Sequence, residues 1–165
     1  MEVIVDNSSR ELKKTDRKVG SEAPASRVMM LNGEVKVIGM MADKVQVIIT
    51  LANSYDLTES LLSVINKYSD KSYIYIMTSK ELDTKYDDFM TSIDIKNLTL
   101  KYGVNIEDNL CAKSIFIISK DGEIEYKEVL EDVISDFNLE LFEKELDKAV
   151  EFKKKGHTHE NWMSV

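Results

Sequence analysis

The stretch KVQVIITLANSYDLTESLLSVINKYSDKSYIYIM, residues 44–77, changes its apolar periodicity twice, and those changes decide the fold. Lys44 to Ala52 is a nearly unbroken, β-branched run, short enough for a strand that is buried on both faces. Asn53-Ser54-Tyr55-Asp56 breaks it. From Leu57 to Tyr68 the residues Leu57, Leu61, Leu62, Val64 and Ile65 recur at helical spacing. Asp56 is the expected N-cap, because its carboxylate can accept the free amide hydrogens of the first turn. Tyr73 to Met77 reads as a second buried strand. Strand, helix and strand in that order make a βαβ unit, which needs a parallel pair and a right-handed crossover.

Upstream, Val19 to Leu31 and Glu34 to Met41 flank Asn32-Gly33, a hairpin signal whose turn calls for positive φ at both central residues. Residues 1–18 are polar apart from Val3, Ile4, Val5 and Leu12, and read as an edge strand or a loose arm. Downstream, Phe89 to Ile95 suggests a weak strand, and Lys96 to Tyr102 a short helix ending at Gly103. Lys113 to Ser119 is a further strand, turned by Lys120-Asp121-Gly122 into an antiparallel partner from Glu123 to Val129. A last helix, Leu139 to about Lys153, repeats Leu141, Phe142, Leu146 and Val150 on one face, and the chain leaves it at Gly156. The expected division is an arm over 1–18, one domain over 19–155 and a histidine-containing tail over 156–165.

With 165 residues, the chain has the length for one domain with a real core. Its net charge of -8, with no basic stripe, argues against nucleic acid and against anionic membranes. No run approaches the roughly 20 apolar residues of a membrane span, and Met1 to Lys18 holds no apolar run of signal-peptide length. One cysteine, Cys111, makes no internal disulfide and fits a reducing, cytoplasmic compartment. The acidic group Glu123, Glu125, Glu128, Glu131 and Asp132 reads as a solvated face.

Val19-Gly20-Ser21-Glu22-Ala23-Pro24 resembles the Gly-x-x-Ala-Pro entry of the peroxiredoxin superfamily. Tyr102-Gly103-Val104, Ala112 to Ile118 and Asp121 to Tyr126 are similar to the C-terminal half of thiol peroxidases. The resemblance covers roughly Val19 to Ala149. It implies a thioredoxin-like α/β fold of the peroxiredoxin type, with a mixed central sheet flanked by helices and an N-terminal β-hairpin. It also implies a homodimer formed through the face around the peroxidatic loop.

In that family a cysteine thiolate opens the first long helix, within Pro-x-x-x-Thr-x-x-Cys. Here the matching segment is Leu51 to Ser60. One register puts Tyr55 at the threonine and Thr58 at the cysteine. The other matches Asn53-Ser54-Tyr55-Asp56 to the family's Pro-Ser-Ile-Asp and puts Ser60 at the cysteine. Neither supplies a thiol. An alkanol is far less acidic than a thiol, has no histidine base in this segment, and cannot pass through a sulfenate. The family arginine matches Lys113, a point charge without the bidentate fork. The helix that carries the resolving cysteine is reduced to Lys80 to Asp88. The expectation is therefore a relict pocket of Tyr55, Thr58, Ser60 and Lys113 that binds a small molecule or a protein without catalysis or cofactor.

Two alternatives stay open. Cys111 stands two residues before Lys113, so an extended chain points both to one face; the sulfur is then a redox thiol beside a cation, or simply a buried, inert residue. His157, His159 and Glu160 could begin a metal site, although their spacing matches no helical metal motif. A solvated tail is the plainer reading.

Overall fold

The computed structural model describes residues 1–13 and 17–151. The βαβ unit is present: β5 (Val45–Leu51), α1 (Glu59–Tyr68) and β6 (Ser72–Thr78), with β5 and β6 parallel and in register from Val45 opposite Ser72 to Leu51 opposite Thr78. Four short strands precede it: β1 (Glu2–Val5), β2 (Ser8–Glu11), β3 (Ser26–Met29) and β4 (Val35–Ile38). After it come β7 (Thr91–Ser92), α2 (Lys96–Lys101), β8 (Asn105–Glu107), β9 (Leu110–Cys111), β10 (Ser114–Ile118), β11 (Ile124–Val129) and α3 (Leu139–Glu151). The central sheet has the order β11-β10-β5-β6-β7. β10 runs antiparallel to both its neighbours, so the sheet is mixed.

Because side chains alternate along a strand, β5 serves two cores at once. Val45, Val47, Ile49 and Leu51 meet Leu61 and Ile65 of α1 and Phe142 and Leu146 of α3. On the other face Ile48 joins Phe116, Ile118, Met77, Leu98 of α2 and Tyr102. Tyr102 sits edge-on to Phe116 at 5.2 Å and donates from its hydroxyl to the Pro24 carbonyl at 2.8 Å, which anchors the Ala-Pro entry to the core. Each such apolar side chain is worth about 2 kcal/mol on burial, and the two polar side chains of β5, Gln46 and Thr50, are buried with hydrogen bonds to Gly39 and to the Ala112 carbonyl.

Several local expectations are revised. Residues 2–11 form a complete hairpin in place of a single edge strand or loose arm, since Asp6 and Asn7 both hold positive φ, as a tight two-residue turn requires. Val3, Val5 and Leu12 are buried in the same core as Phe116. In the β3–β4 hairpin only Gly33 has positive φ; its amide donates to the Met30 carbonyl at 2.9 Å, so a three-residue turn with a bulge replaces the two-residue one. α1 starts at Glu59, and its N-cap is Thr58, whose hydroxyl accepts from Leu61 N at 3.2 Å. Asp56 turns inward instead. The Phe89–Ile95 strand shrinks to the two residues of β7. On α3, Phe142 and Leu146 are fully buried, while Leu141 lies to the side and is exposed.

Candidate functional site

The site is built where β5 ends and α1 begins, against the chain just before β10. Past Leu51 the backbone turns sharply, and Asp56 stabilises the turn. Its Oδ2 accepts from Ala52 N at 3.1 Å and from Asn53 N at 2.7 Å. That use of the carboxylate explains why it does not cap the helix. Thr58 N donates to Asp56 O at 3.0 Å, which brings Thr58 into the cap position.

Lys113 enters from the other side. Its Nζ donates to the Ser135 carbonyl at 2.7 Å, lies 3.7 Å from Asp56 Oδ1 and stands 5.2 Å from the centre of the Phe137 ring. Both charged side chains are almost wholly enclosed. A buried charge pair persists only when further hydrogen bonds satisfy its members, and here each has them. Beside the pair opens a cavity of about 300 Å³, lined by Thr58, Ser60, Leu61, Asp136, Phe137 and Leu139 as well as by Asp56 and Lys113.

Of the residues expected in the relict pocket, Thr58, Ser60 and Lys113 meet at this cavity. Tyr55 does not line it; its side chain is 62% exposed on the turn. Asp56, Asp136 and Phe137 are additions. Asp56 stands in the Asn53-Ser54-Tyr55-Asp56 match, and its place just before a helical run is equally that of an N-cap, a role the structure gives to Thr58. The segment Lys80 to Asp88 borders the same turn: Asp83 N donates to Ser54 O at 2.8 Å, and Leu82 and Tyr86 pack on the α1 core.

Cys111 stands apart from this group. It is fully buried, in the core shared by Val104 and Phe116, and its Sγ contacts Ser79 Oγ at 3.4 Å and the Leu51 carbonyl at 3.5 Å. Burial pushes the thiol up to about 11; hydrogen bonds from Ser79 and Thr50 oppose this, and the charge of Asp56 adds to it. The simple alternation that would aim Cys111 and Lys113 alike does not carry. The chain passes from the β8–β9 hairpin to the central sheet between them, with Ala112 N still bound to Val104 O and Lys113 O already bound by Leu130 N. Nothing in this arrangement makes a thiolate at neutral pH.

His157, His159 and Glu160, with Trp162 and Met163, lie outside the described residues. Among the described residues no group of three His, Cys, Asp or Glu side chains could hold a metal ion, and no helix is long and apolar enough to cross a membrane.

No family model matches the chain. A thiol peroxidase of Aquifex aeolicus is 27% identical over 147 residues, covering 74% of this chain and 83% of that protein. Solved structures agree on the fold. A peroxiredoxin-like protein from Aquifex aeolicus superposes with a TM-score of 0.71 at 20% identity, over 90% of this chain and 96% of its own. A thiol peroxidase from Chromobacterium violaceum gives 0.69 at 13% identity, over 89% and 95%. Mycobacterium tuberculosis AhpC gives 0.61 at 14% identity, over 81% and 93%. The mixed five-stranded sheet, the N-terminal hairpins and these likenesses lead to one conclusion: the chain has a peroxiredoxin-like fold of the thioredoxin type, is similar in sequence to a thiol peroxidase, and carries a single cysteine.

Proposed function

We propose that this chain is a non-catalytic binding or regulatory homologue of the thiol peroxidases. The observation that carries the reading is the mouth of α1. Where a peroxide-reducing site needs an exposed, acidified sulfur, this chain presents the hydroxyls of Thr58 and Ser60 over the buried Asp56–Lys113 pair. The one sulfur is enclosed and held as a thiol. Peroxide reduction proceeds by attack of a thiolate on the O–O bond, leaving a sulfenate on sulfur and releasing water or an alcohol; a serine or threonine has no equivalent oxidised state. The cavity of about 300 Å³, lined by one lysine and the two carboxylates of Asp56 and Asp136, is the place for a small molecule or for a side chain of a partner protein.

The same reading makes the protein cytoplasmic and a homodimer through the face around α1, as its relatives' resemblance implies. The test is a thioredoxin-coupled peroxide assay with hydrogen peroxide and an alkyl hydroperoxide. The expected result is no turnover above the protein-free rate. Turnover that Cys111→Ser abolishes would replace this reading by an atypical peroxidase.

A further inference from the structure

The β3–β4 hairpin breaks a rule of surface strands. Its inner face, Val28, Met30 and Ile38, is buried in the core. Its outer face, which ought to be polar, carries Met29, Val35 and Val37, each about half exposed, with Arg27 of β3 as the charged residue opposite Val37. The hydrogen-bond phase of the hairpin is fixed by Met30 N donating to Glu34 O at 2.8 Å. Pairing then alternates, so Val28–Lys36 and Ser26–Ile38 bond each other, while Met29, Val35 and Val37 point their amides and carbonyls outward.

On the β3 side the outward groups are used. Met29 N donates to Asp94 Oδ2 at 2.9 Å, and Met29 O accepts from Ser92 Oγ at 2.6 Å. On the β4 side, Gly39 is also used: its amide donates to Gln46 Oε1 at 2.9 Å, and its carbonyl accepts from Gln46 Nε2 at 3.2 Å. Among the described residues, no backbone bond outside the hairpin reaches Val35 or Val37. The hairpin thus has one closed edge and one open edge, and the open one is apolar.

We propose that the open edge of β4 pairs antiparallel with the same edge of a second copy of this chain, about a two-fold axis at Val35. The charges select this register. With Val35 opposite its own copy, Glu34 of each chain faces Lys36 of the other, on the closely spaced positions between ladder bonds, and Val37 faces Gly33. A shift of one pair would set Lys36 against Lys36. Gly33 has open space where a Cβ would stand, so it leaves room for the incoming Val37. Because the opposite edge of the hairpin is already occupied, strand addition joins two hairpins and does not run on from hairpin to hairpin. This surface lies on the hairpin, apart from the α1 mouth, and is independent of the function proposed above.

The experiment is sedimentation velocity on the full chain from low to high micromolar concentration, with three variants. Val35→Pro removes the outward amide without touching a hairpin bond, and a strand edge tolerates proline. It is expected to halve the mass of the wild-type assembly, whatever pairing the α1 face makes besides, and a wild-type mass that V35P leaves unchanged overturns the proposal. Glu34→Lys and Lys36→Glu each place like charges opposite one another and are expected to weaken association roughly tenfold. Mixed in equal amounts, the two single variants face each other with opposite charges and are expected to regain wild-type association as a heterodimer. If the mixture behaves as the separate variants do, or if wild type shows no edge-dependent association, the proposal fails. Retained circular dichroism and melting temperature confirm that each variant is folded, and the charge pair decides the matter if V35P is not.

Discussion

Oδ1 of Asp56 lies 3.7 Å from Nζ of Lys113, and the two side chains are only 3% and 5% exposed. Their mutual dependence is testable. Lys113→Met leaves the carboxylate buried without its cation and is expected to cost about 3 kcal/mol, read from urea denaturation midpoints. The D56N/K113M double variant is expected to be more stable than K113M alone, because no uncompensated charge remains. Additive losses would show that the pair does not interact.

Thr58 caps α1 through its hydroxyl. Thr58→Ala is expected to destabilise the fold by about 1 kcal/mol, and Thr58→Ser to be nearly neutral. Equal losses in both variants would mean that packing of the methyl group matters and the cap does not.

Cys111 is held protonated by burial, with its thiol pushed up to about 11 from an ordinary 9.0. The folded state therefore keeps a proton that the unfolded state releases above pH 9. Stability from this group is complete below pH 9 and is lost as pH rises toward 11, by about 3 kcal/mol in all. Cys111→Ala, whatever its offset at neutral pH, is expected to show a shallower decline over that window in chemical denaturation. In the native protein at pH 8, iodoacetamide is expected to leave Cys111 unmodified for hours.

A cysteine placed at Ser60 faces the opposite conditions. The position is exposed, in the first turn of α1, and lines the cavity beside Lys113. Its thiol is expected to be acidified by the helix amides, so Ser60→Cys reacts with iodoacetamide on the order of a hundredfold faster than Cys111. Mass spectrometry of the two peptides gives the ratio; comparable rates would refute the account of the α1 mouth.

Glycine demands differ sharply between two turns. A Cβ on Gly39 would lie 2.1 Å from the Pro24 carbonyl oxygen, at a φ of +100°. Gly39→Ala is expected to lose the hairpin's seat on the core and to fail to give a cooperative melt. Gly33 has φ +91° but open space, so Gly33→Ala is expected to cost only the backbone strain, about 1 kcal/mol.

The elements with strong periodicity were legible in the chain itself. β5, α1 and β6 follow from a switch between apolar runs and helical spacing, and β10 and β11 follow from an apolar strand, a Gly turn and an alternating strand. The first hairpin was not, because Asp6-Asn7 is a weaker turn signal than Asn-Gly and its strands are mostly polar. The site was half legible. Thr58, Ser60 and Lys113 follow from the family resemblance, whereas the inward turn of Asp56 depends on amides at Ala52 and Asn53 that no spacing rule exposes. Cys111 and Lys113 diverge because the chain changes sheets between them, which is a tertiary event.

The order of strands in the central sheet also governs how the protein is made. β5 is paired on one side by β6, close behind it, and on the other by β10, where Thr50 meets Ser114 across 64 residues. As the chain leaves the ribosome, the βαβ half emerges with its inner edge bare, and it stays so until β10 arrives to pair with β5, followed by β11 on the outside of β10. During that interval a strand made mostly of β-branched apolar residues has one edge open to solvent or a chaperone, so the nascent chain is at greatest risk of aggregation before the last third is synthesised. A chain halted before Ser114 is expected to bind a holdase that one extended past Val129 releases.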